Sequence, residues 1–300
     1  MEKQTATRAA VLEGLMRRYR ERVPDVNAII LAMIKEGIIR QAEDIENDHI
    51  AFRTLGVSHL GIASLEKIFL HLGYEKKDYY SFEEKKLNAY WYAPPVPGEP
   101  RIFVSELRVQ ELGPAAQEIV RKYTAGIQQD PVDQLNLDDA AQVDEFLHSG
   151  LWETPSLADY SLLLEESEYA AWVIFNRYYL NHFTISVHNL KEGYNTIPAF
   201  NTFLENAGFV LNDAGGKIKT SPDGNLLQSA TIAKKIRASF AGGEEQLIPG
   251  SYVEFAERKV LPAFRELPGD TIERSHRREG FEAANANRIF ESTYRGQTER

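Results

Sequence analysis

Residues 48–52 (DHIAF) and 181–185 (NHFTI) carry the reading of the fold. From Asp48 onward the sequence has a period of two, with Ile50, Phe52 and Thr54 on one side and His49, Ala51, Arg53 and Leu55 on the other, as in a strand. Residues 180–187 alternate likewise, with Phe183, Ile185 and Val187 opposite His182, Thr184 and Ser186. After the first stretch, Ile62, Leu65, Phe69 and Leu72 recur at helical spacing and Gly73 ends the run, in FLHLGY. After the second, Phe200, Phe203 and Leu204 do the same before Gly208, in FLENAGF. Strand-like runs follow both helices: 87–92 and 102–107, parted by a proline-rich turn at 94–100, and then 226–232 and 252–258. The same order of elements occurs twice. The expectation is an α+β fold of two paired βαβββ modules, residues 47–110 and 179–260, whose sheets join into a half-open barrel.

The remainder is helical. Leu12, Leu15, Met16 and Tyr19 share one helix face, and Val26, Ile29, Ile30 and Met33 repeat the pattern after Pro24, so residues 1–46 supply N-terminal helices. Residues 111–178 place apolar side chains at roughly helical spacing among many acids and read as a helical insert. Residues 261–300 form a capping segment, in which Phe281, Ile289 and Phe290 make the apolar stripe of a helix over the barrel mouth. The whole is read as one enzyme domain.

Composition narrows the chemistry. The chain has 300 residues, 34 basic against 44 acidic side chains and a formal net charge of −10. Its long-range field repels phosphate backbones and anionic membrane surfaces, which argues against nucleic acid and membrane partners. With no cysteine there is no disulfide, thiolate nucleophile, zinc-thiolate site or iron–sulfur cluster, so any metal must sit on histidine, carboxylate or backbone oxygen. No apolar run near the N-terminus is long enough for a spanning helix or signal core, and a cytoplasmic location is expected.

Of seven histidines, only His49 and His182 open strands at equivalent points of the two modules. His71, His148 and His276 read as surface or capping residues, His188 as a solvated strand end with a supporting role open to it, and His59 takes no assigned role. Glu254 stands in mid-strand in SYVEFAER, on one face with Tyr252, Ala256 and Arg258, and a carboxylate there needs a partner. Two imidazoles and one carboxylate from three strands facing one interior would make a facial triad suited to Fe(II), leaving positions open for a bidentate substrate and dioxygen. Water on the polar strand face for His182, and a structural salt bridge for Glu254, are the plainer alternatives.

DHIAFRT with Arg53, YLNHFT around His182, LLQSATIA around Gln228 and GSYVEFAER around Glu254 resemble the 2-oxoadipate dioxygenase/decarboxylases, or hydroxyglutarate synthases, of the vicinal-oxygen-chelate superfamily. GFEAANANRIFES, residues 280–292, is similar to the C-terminal signature of the related hydroxyphenylpyruvate dioxygenases. The resemblance touches residues 48–54, 101–108, 180–184, 226–233 and 252–292. It implies an Fe(II)-dependent enzyme with O2 as co-substrate, taking a small 2-oxo acid such as 2-oxoadipate to 2-hydroxyglutarate and CO2, as in lysine catabolism. It further implies His49, His182 and Glu254 as metal ligands and Arg53 as the receiver of a substrate carboxylate.

Arg53 lies four residues beyond His49 on the same strand face, about 13 Å away at roughly 3.3 Å per residue, and guanidinium matches carboxylate bidentately. An ion pair with Glu46 or Asp48 is the alternative for it. Gln228 and the adjacent Ser229 are expected to bind substrate, or else to line the barrel and satisfy one another. Arg258 reads as a second clamp or a structural ion pair, and Asn285 as fixing the helix start or the cap. Two other functions remain open: an oxygen-independent, glyoxalase-like metal enzyme, favoured by a second carboxylate ligand, and a small-acid binding protein.

Overall fold

The computed structural model describes residues 2–299. Among the described residues there are ten strands: β1 (Asn47–Leu55), β2 (Glu75–Phe82), β3 (Leu87–Ala93), β4 (Arg101–Leu107), β5 (His182–Ser186), β6 (Lys219–Thr220), β7 (Leu226–Ala230), β8 (Lys235–Ser239), β9 (Glu245–Pro249) and β10 (Tyr252–Arg258). The helices are α1 (Glu2–Arg22), α2 (Pro24–Lys35), α3 (Ile62–His71), α4 (Pro114–Thr124), α5 (Ala140–His148), α6 (Leu157–Glu166), α7 (Glu168–Asn176), α8 (Ile197–Asn206), α9 (Ala283–Ile289) and α10 (Arg295–Thr298).

Eight strands form one curled sheet in the order β2-β3-β4-β1-β5-β10-β7-β6. The repeat expected from the sequence is visible in this order. In the first half β1 runs parallel to β4, and in the second β5 runs parallel to β10. The helices α3 and α8 make the crossovers, each closed by a glycine with positive φ, Gly73 at 92° and Gly208 at 89°, a conformation glycine adopts without steric cost. The antiparallel pairing of β1 with β5 joins the halves, so DHIAF and NHFTI lie side by side at the seam.

Four strands lie outside the runs expected from the sequence. β2 (EKKDYYSF) is a mostly exposed edge strand whose lysines protect it from pairing with other chains, so it lacks an apolar alternation. β6 has two residues, and β8 with β9 makes a separate hairpin inserted before β10. The expected stretch 180–187 is shorter as built, since residues 187–189 turn into a 3-10 helix.

The flanking helices hold the seam. The Tyr19 hydroxyl of α1 accepts the Phe183 N–H (3.3 Å) and donates to the Tyr252 carbonyl, which ties β5 to β10. From the insert, Tyr169 of α7 bonds the Thr54 N–H and the Ser105 hydroxyl (3.1 and 2.9 Å), and Trp172 donates to the Gly250 carbonyl (2.8 Å). Helix α7 therefore closes one end of the barrel interior instead of only wrapping its outside.

Candidate metal centre and its anion pocket

Register fixes which side chains share the interior. Ala51 lies opposite His182, His182 beside Tyr252, and Thr184 beside Glu254. Side chains alternate along each strand, so His49, Arg53, His182, Tyr252, Glu254 and Arg258 all face inward. A β-bulge opposite Thr184, where the β1–β5 register shifts between Asn47 and Ile50, lets Asp48 and His49 meet within the same site.

His49, His182 and Glu254 are buried and offer ligand atoms that all lie within 4.8 Å of one another. The Nε2 atoms of the two histidines are 3.3 Å apart, and Glu254 places Oε2 3.1 Å from His182 Nε2 and Oε1 3.5 Å from His49 Nε2. Each Nδ1 is occupied elsewhere: that of His49 by Asp48 Oδ1 at 2.7 Å, that of His182 by Asn181 Oδ1 at 3.1 Å. This fixes both tautomers with Nε2 lone pairs turned inward, the arrangement in which metal-binding histidines are usually held. Gln228 donates to Glu254 Oε1 (2.6 Å) and accepts from Asn285 Nδ2 (3.0 Å). Two imidazoles and one carboxylate with further positions open suit a hard-to-borderline divalent metal, non-haem Fe(II) in particular.

Electrostatics follow from these contacts. Burial works against a charged Asp48, but Arg258 and Arg101 beside it hold its carboxyl well below the usual range. Arg258 grips it at 2.6 and 2.9 Å. Burial also opposes charge on His49, yet Glu254 and Asp48 prevail and raise its pKa, while burial, with His49 and Arg53 nearby, pushes that of His182 well down. One imidazole of the pair takes up a proton far more readily than the other.

Arg53 is fully buried and has no acidic partner among the described residues. Its Nη1 donates to Thr293 Oγ1 (2.9 Å) and its Nη2 to the Phe290 carbonyl (3.0 Å), while Nε has no partner. The guanidinium lies over the rings of Tyr169 and Trp172, 5.2 Å from each centroid. The ion pair with Glu46 or Asp48 does not form, since Asp48 is taken by Arg258 and Arg101, and Glu46 by Asn189 and Ser186.

Ser229 requires correction. It is adjacent to Gln228, so strand alternation turns it to the opposite face, where it donates to Asn201 of α8 (2.6 Å). It neither lines the interior nor satisfies Gln228. Arg258 is the structural ion pair of the two readings considered, with Nη1 also holding the Gly280 carbonyl (2.7 Å). Asn285 lies within α9, not at its start, and pins that helix to β7 through Gln228 and the Leu226 carbonyl. His188 is a half-buried acceptor for the Arg258 N–H (3.2 Å).

Four further residues join the site without having been expected there: Asp48, Asn181, Tyr252 and Phe103. The first two were visible as a side-chain oxygen placed directly before each repeated histidine. Phe103 is the first-module counterpart of Glu254, since it pairs with Ala51 as Glu254 pairs with Thr184. The position that could carry a second carboxylate ligand is thus a phenylalanine. Tyr252 stacks on His182 (ring centroids 4.8 Å apart), and its buried hydroxyl has no hydrogen-bond partner. Burial pushes the phenol pKa up, and Arg53 alongside pulls it partly back.

Phe281, Ile289 and Phe290 line the same cavity as His49, His182 and Glu254, and of the three only Ile289 belongs to α9 proper. Phe281 meets the His49 ring edge-on at 4.8 Å. With Phe103, Gln228 and Tyr252 they leave a cavity of about 20 Å3, room for roughly one water.

Paired modules with two histidines and one carboxylate at their seam, grouped as three donors for a metal ion, define an enzyme of the glyoxalase/dioxygenase type. The family model described as 2-oxoadipate dioxygenase/decarboxylase matches residues 11–267, and the chain belongs to that family. It is 45% identical over 276 residues to a chloroplastic 2-oxoadipate dioxygenase/decarboxylase of Arabidopsis thaliana, covering 88% of this chain and 72% of the relative. It is 42% identical over 300 residues to the chloroplastic/amyloplastic protein of that name from Oryza sativa subsp. japonica, covering 97% and 79%. The crystal structure of a hydroxyglutarate synthase from Oryza sativa in complex with 2-oxoadipate superposes with a TM-score of 0.89 at 40% identity, covering 100% of this chain and 96% of that one. Family membership makes this chain an oxidoreductase. No helix of the described residues is long and apolar enough to cross a membrane.

Proposed function

We propose that the chain, acting as one domain, is an Fe(II)-dependent dioxygenase/decarboxylase that converts 2-oxoadipate and O2 to 2-hydroxyglutarate and CO2, a step belonging to lysine catabolism. The observation that carries this reading is Arg53: a buried cation without an acidic partner among the described residues, on the same interior face as the three-donor centre. A dicarboxylic 2-oxo acid has an anionic group for each place. The names of the curated relatives, and the ligand of the Oryza sativa structure, support the same choice.

His49, His182 and Glu254 would hold Fe(II), which would supply redox chemistry toward O2 and Lewis acidity toward the 2-oxo acid. Asp48 and Asn181 keep the imidazoles oriented, and Gln228 does so for the Glu254 carboxylate. Arg53 receives the far carboxylate and sets the length of chain that reaches the centre. Phe281, Ile289 and Phe290 keep water out. The stoichiometry closes without an external reductant. One atom of O2 enters the carboxylate left after loss of CO2, and the other becomes the new hydroxyl.

Phe103 at the position matching Glu254 speaks against the four-ligand, oxygen-independent alternative. A cytoplasmic location is part of this proposal; the plastid labels in the names of the plant relatives are said of those proteins.

The test is oxygen uptake by anaerobically purified, Fe(II)-loaded protein given 2-oxoadipate, with CO2 and 2-hydroxyglutarate assayed together. Equal amounts of O2 lost and of both products formed are expected. No uptake by protein that demonstrably holds iron would overturn the reading.

A further inference from the structure

Resting on the function proposed above, we infer that Tyr252 is a substrate-contacting residue that, together with Arg53, reads the distal carboxylate of the 2-oxo acid and thereby selects dicarboxylic substrates. Three observations converge on it. The Tyr252 hydroxyl is buried without a hydrogen-bond partner, and so is Arg53 Nε, a costly state for polar groups unless something else completes it. Both side chains stand at the same end of the interior. Tyr252 begins β10 beside His182, His182 lies opposite Ala51, and Arg53 is two residues beyond Ala51 on the same face of β1. Third, Tyr252 lines the cavity that also contains the three metal-donor residues.

Arg53 lies alongside the phenol oxygen, but the phenol O–H has no acceptor, and a carboxylate, an acceptor-only group with two oxygens, can take the phenol O–H and the Arg53 Nε–H together. One N–H each of Nη1 and Nη2 holds Thr293 and the Phe290 carbonyl, which fixes the guanidinium while leaving Nε without a partner. The ring of Tyr252 is held by His182 on one side, and its own backbone carbonyl by Tyr19, so the hydroxyl is placed before substrate arrives.

The experiment is anaerobic calorimetric titration of the Fe(II) holoenzyme and its Tyr252→Phe variant with 2-oxoadipate and with 2-oxohexanoate, which has the same chain without the distal carboxylate. Wild type is expected to prefer 2-oxoadipate. In Y252F the Kd for 2-oxoadipate is expected to rise about 10- to 100-fold, the range for a hydrogen bond to a charged group, with that for 2-oxohexanoate unchanged. Because the hydroxyl is unpaired in the ligand-free protein, Y252F is also expected to unfold at the same temperature as wild type or higher.

Undiminished preference in Y252F, equal weakening of both ligands, or a lower unfolding temperature with unchanged selectivity would each overturn the inference. A wild type that binds neither ligand, or shows no preference, would instead overturn the substrate reading on which the inference stands.

Discussion

His188 is kept neutral by its surroundings. Burial, joined by the Arg277 and Arg258 cations, lowers its pKa from 6.5 to about 4, outweighing the pull of Asp48, and the ring accepts the Arg258 N–H. A depressed folded-state pKa means that this contribution to stability is complete above pH 6.5 and is lost as pH falls toward 4. Allowing for its partial exposure, the loss is about 2 kcal/mol. The unfolding free-energy difference between wild type and His188→Gln, measured in urea, is expected to shrink by about that amount between pH 7 and pH 4; a constant difference would contradict it. At this scale the site was largely legible. His49, His182, Glu254 and Arg53 announce themselves as polar residues repeated at inward positions of apolar strands. Ser229 was misplaced because adjacent strand residues cannot share a face, a rule that the sequence reading did not apply to the pair with Gln228. The partners of Arg53 could not be read from the sequence, because Thr293 and Phe290 are some 240 residues away.

Among the elements, the capping segment covers the barrel interior. Its helix α9 has seven residues, too few to be stable alone, and is held by Asn285, by Arg258 on the Gly280 carbonyl and by Arg53 on the Phe290 carbonyl. A cavity of about 20 Å3 has no room for a six-carbon diacid, so its lining must open for substrate, and Phe281, Ala286, Ile289 and Phe290 of this segment form the part of that lining outside the sheet. Amides of Ala283–Ile289 are therefore expected to exchange with solvent at least about tenfold faster than those of β5 and β10 in ligand-free protein, and to slow when 2-oxoadipate binds. Exchange as slow as in the central strands would contradict a moving cap. The central strands were legible because burial gives them a clear alternation, whereas β2 and the β8–β9 hairpin were not, since their mostly exposed residues carry no such pattern.

Over the whole molecule, duplication creates the site and asymmetry specialises it. The two modules contribute His49 and His182 from matching strands across the β1–β5 seam, but the matching positions on β4 and β10 are Phe103 and Glu254. The first is filled with hydrocarbon and the second with a charge, giving three donors instead of four. A similar asymmetry separates Asp48 from Asn181, so that only the His49 side carries the charged support of Arg258 and Arg101. The helical insert, whose purpose the sequence did not reveal, supplies the aromatic floor under Arg53 through Tyr169 and Trp172.

The most direct test is the iron bound per chain after anaerobic Fe(II) loading and removal of excess metal, compared among wild type, His49→Ala, His182→Ala, Glu254→Ala and Arg53→Ala. About one iron per chain is expected in wild type and in R53A, which should bind 2-oxoadipate poorly, with little iron in the other three although they remain folded. Full iron occupancy in H49A, H182A or E254A, or loss of iron in R53A alone, would contradict the division of the site into a metal end and a carboxylate end.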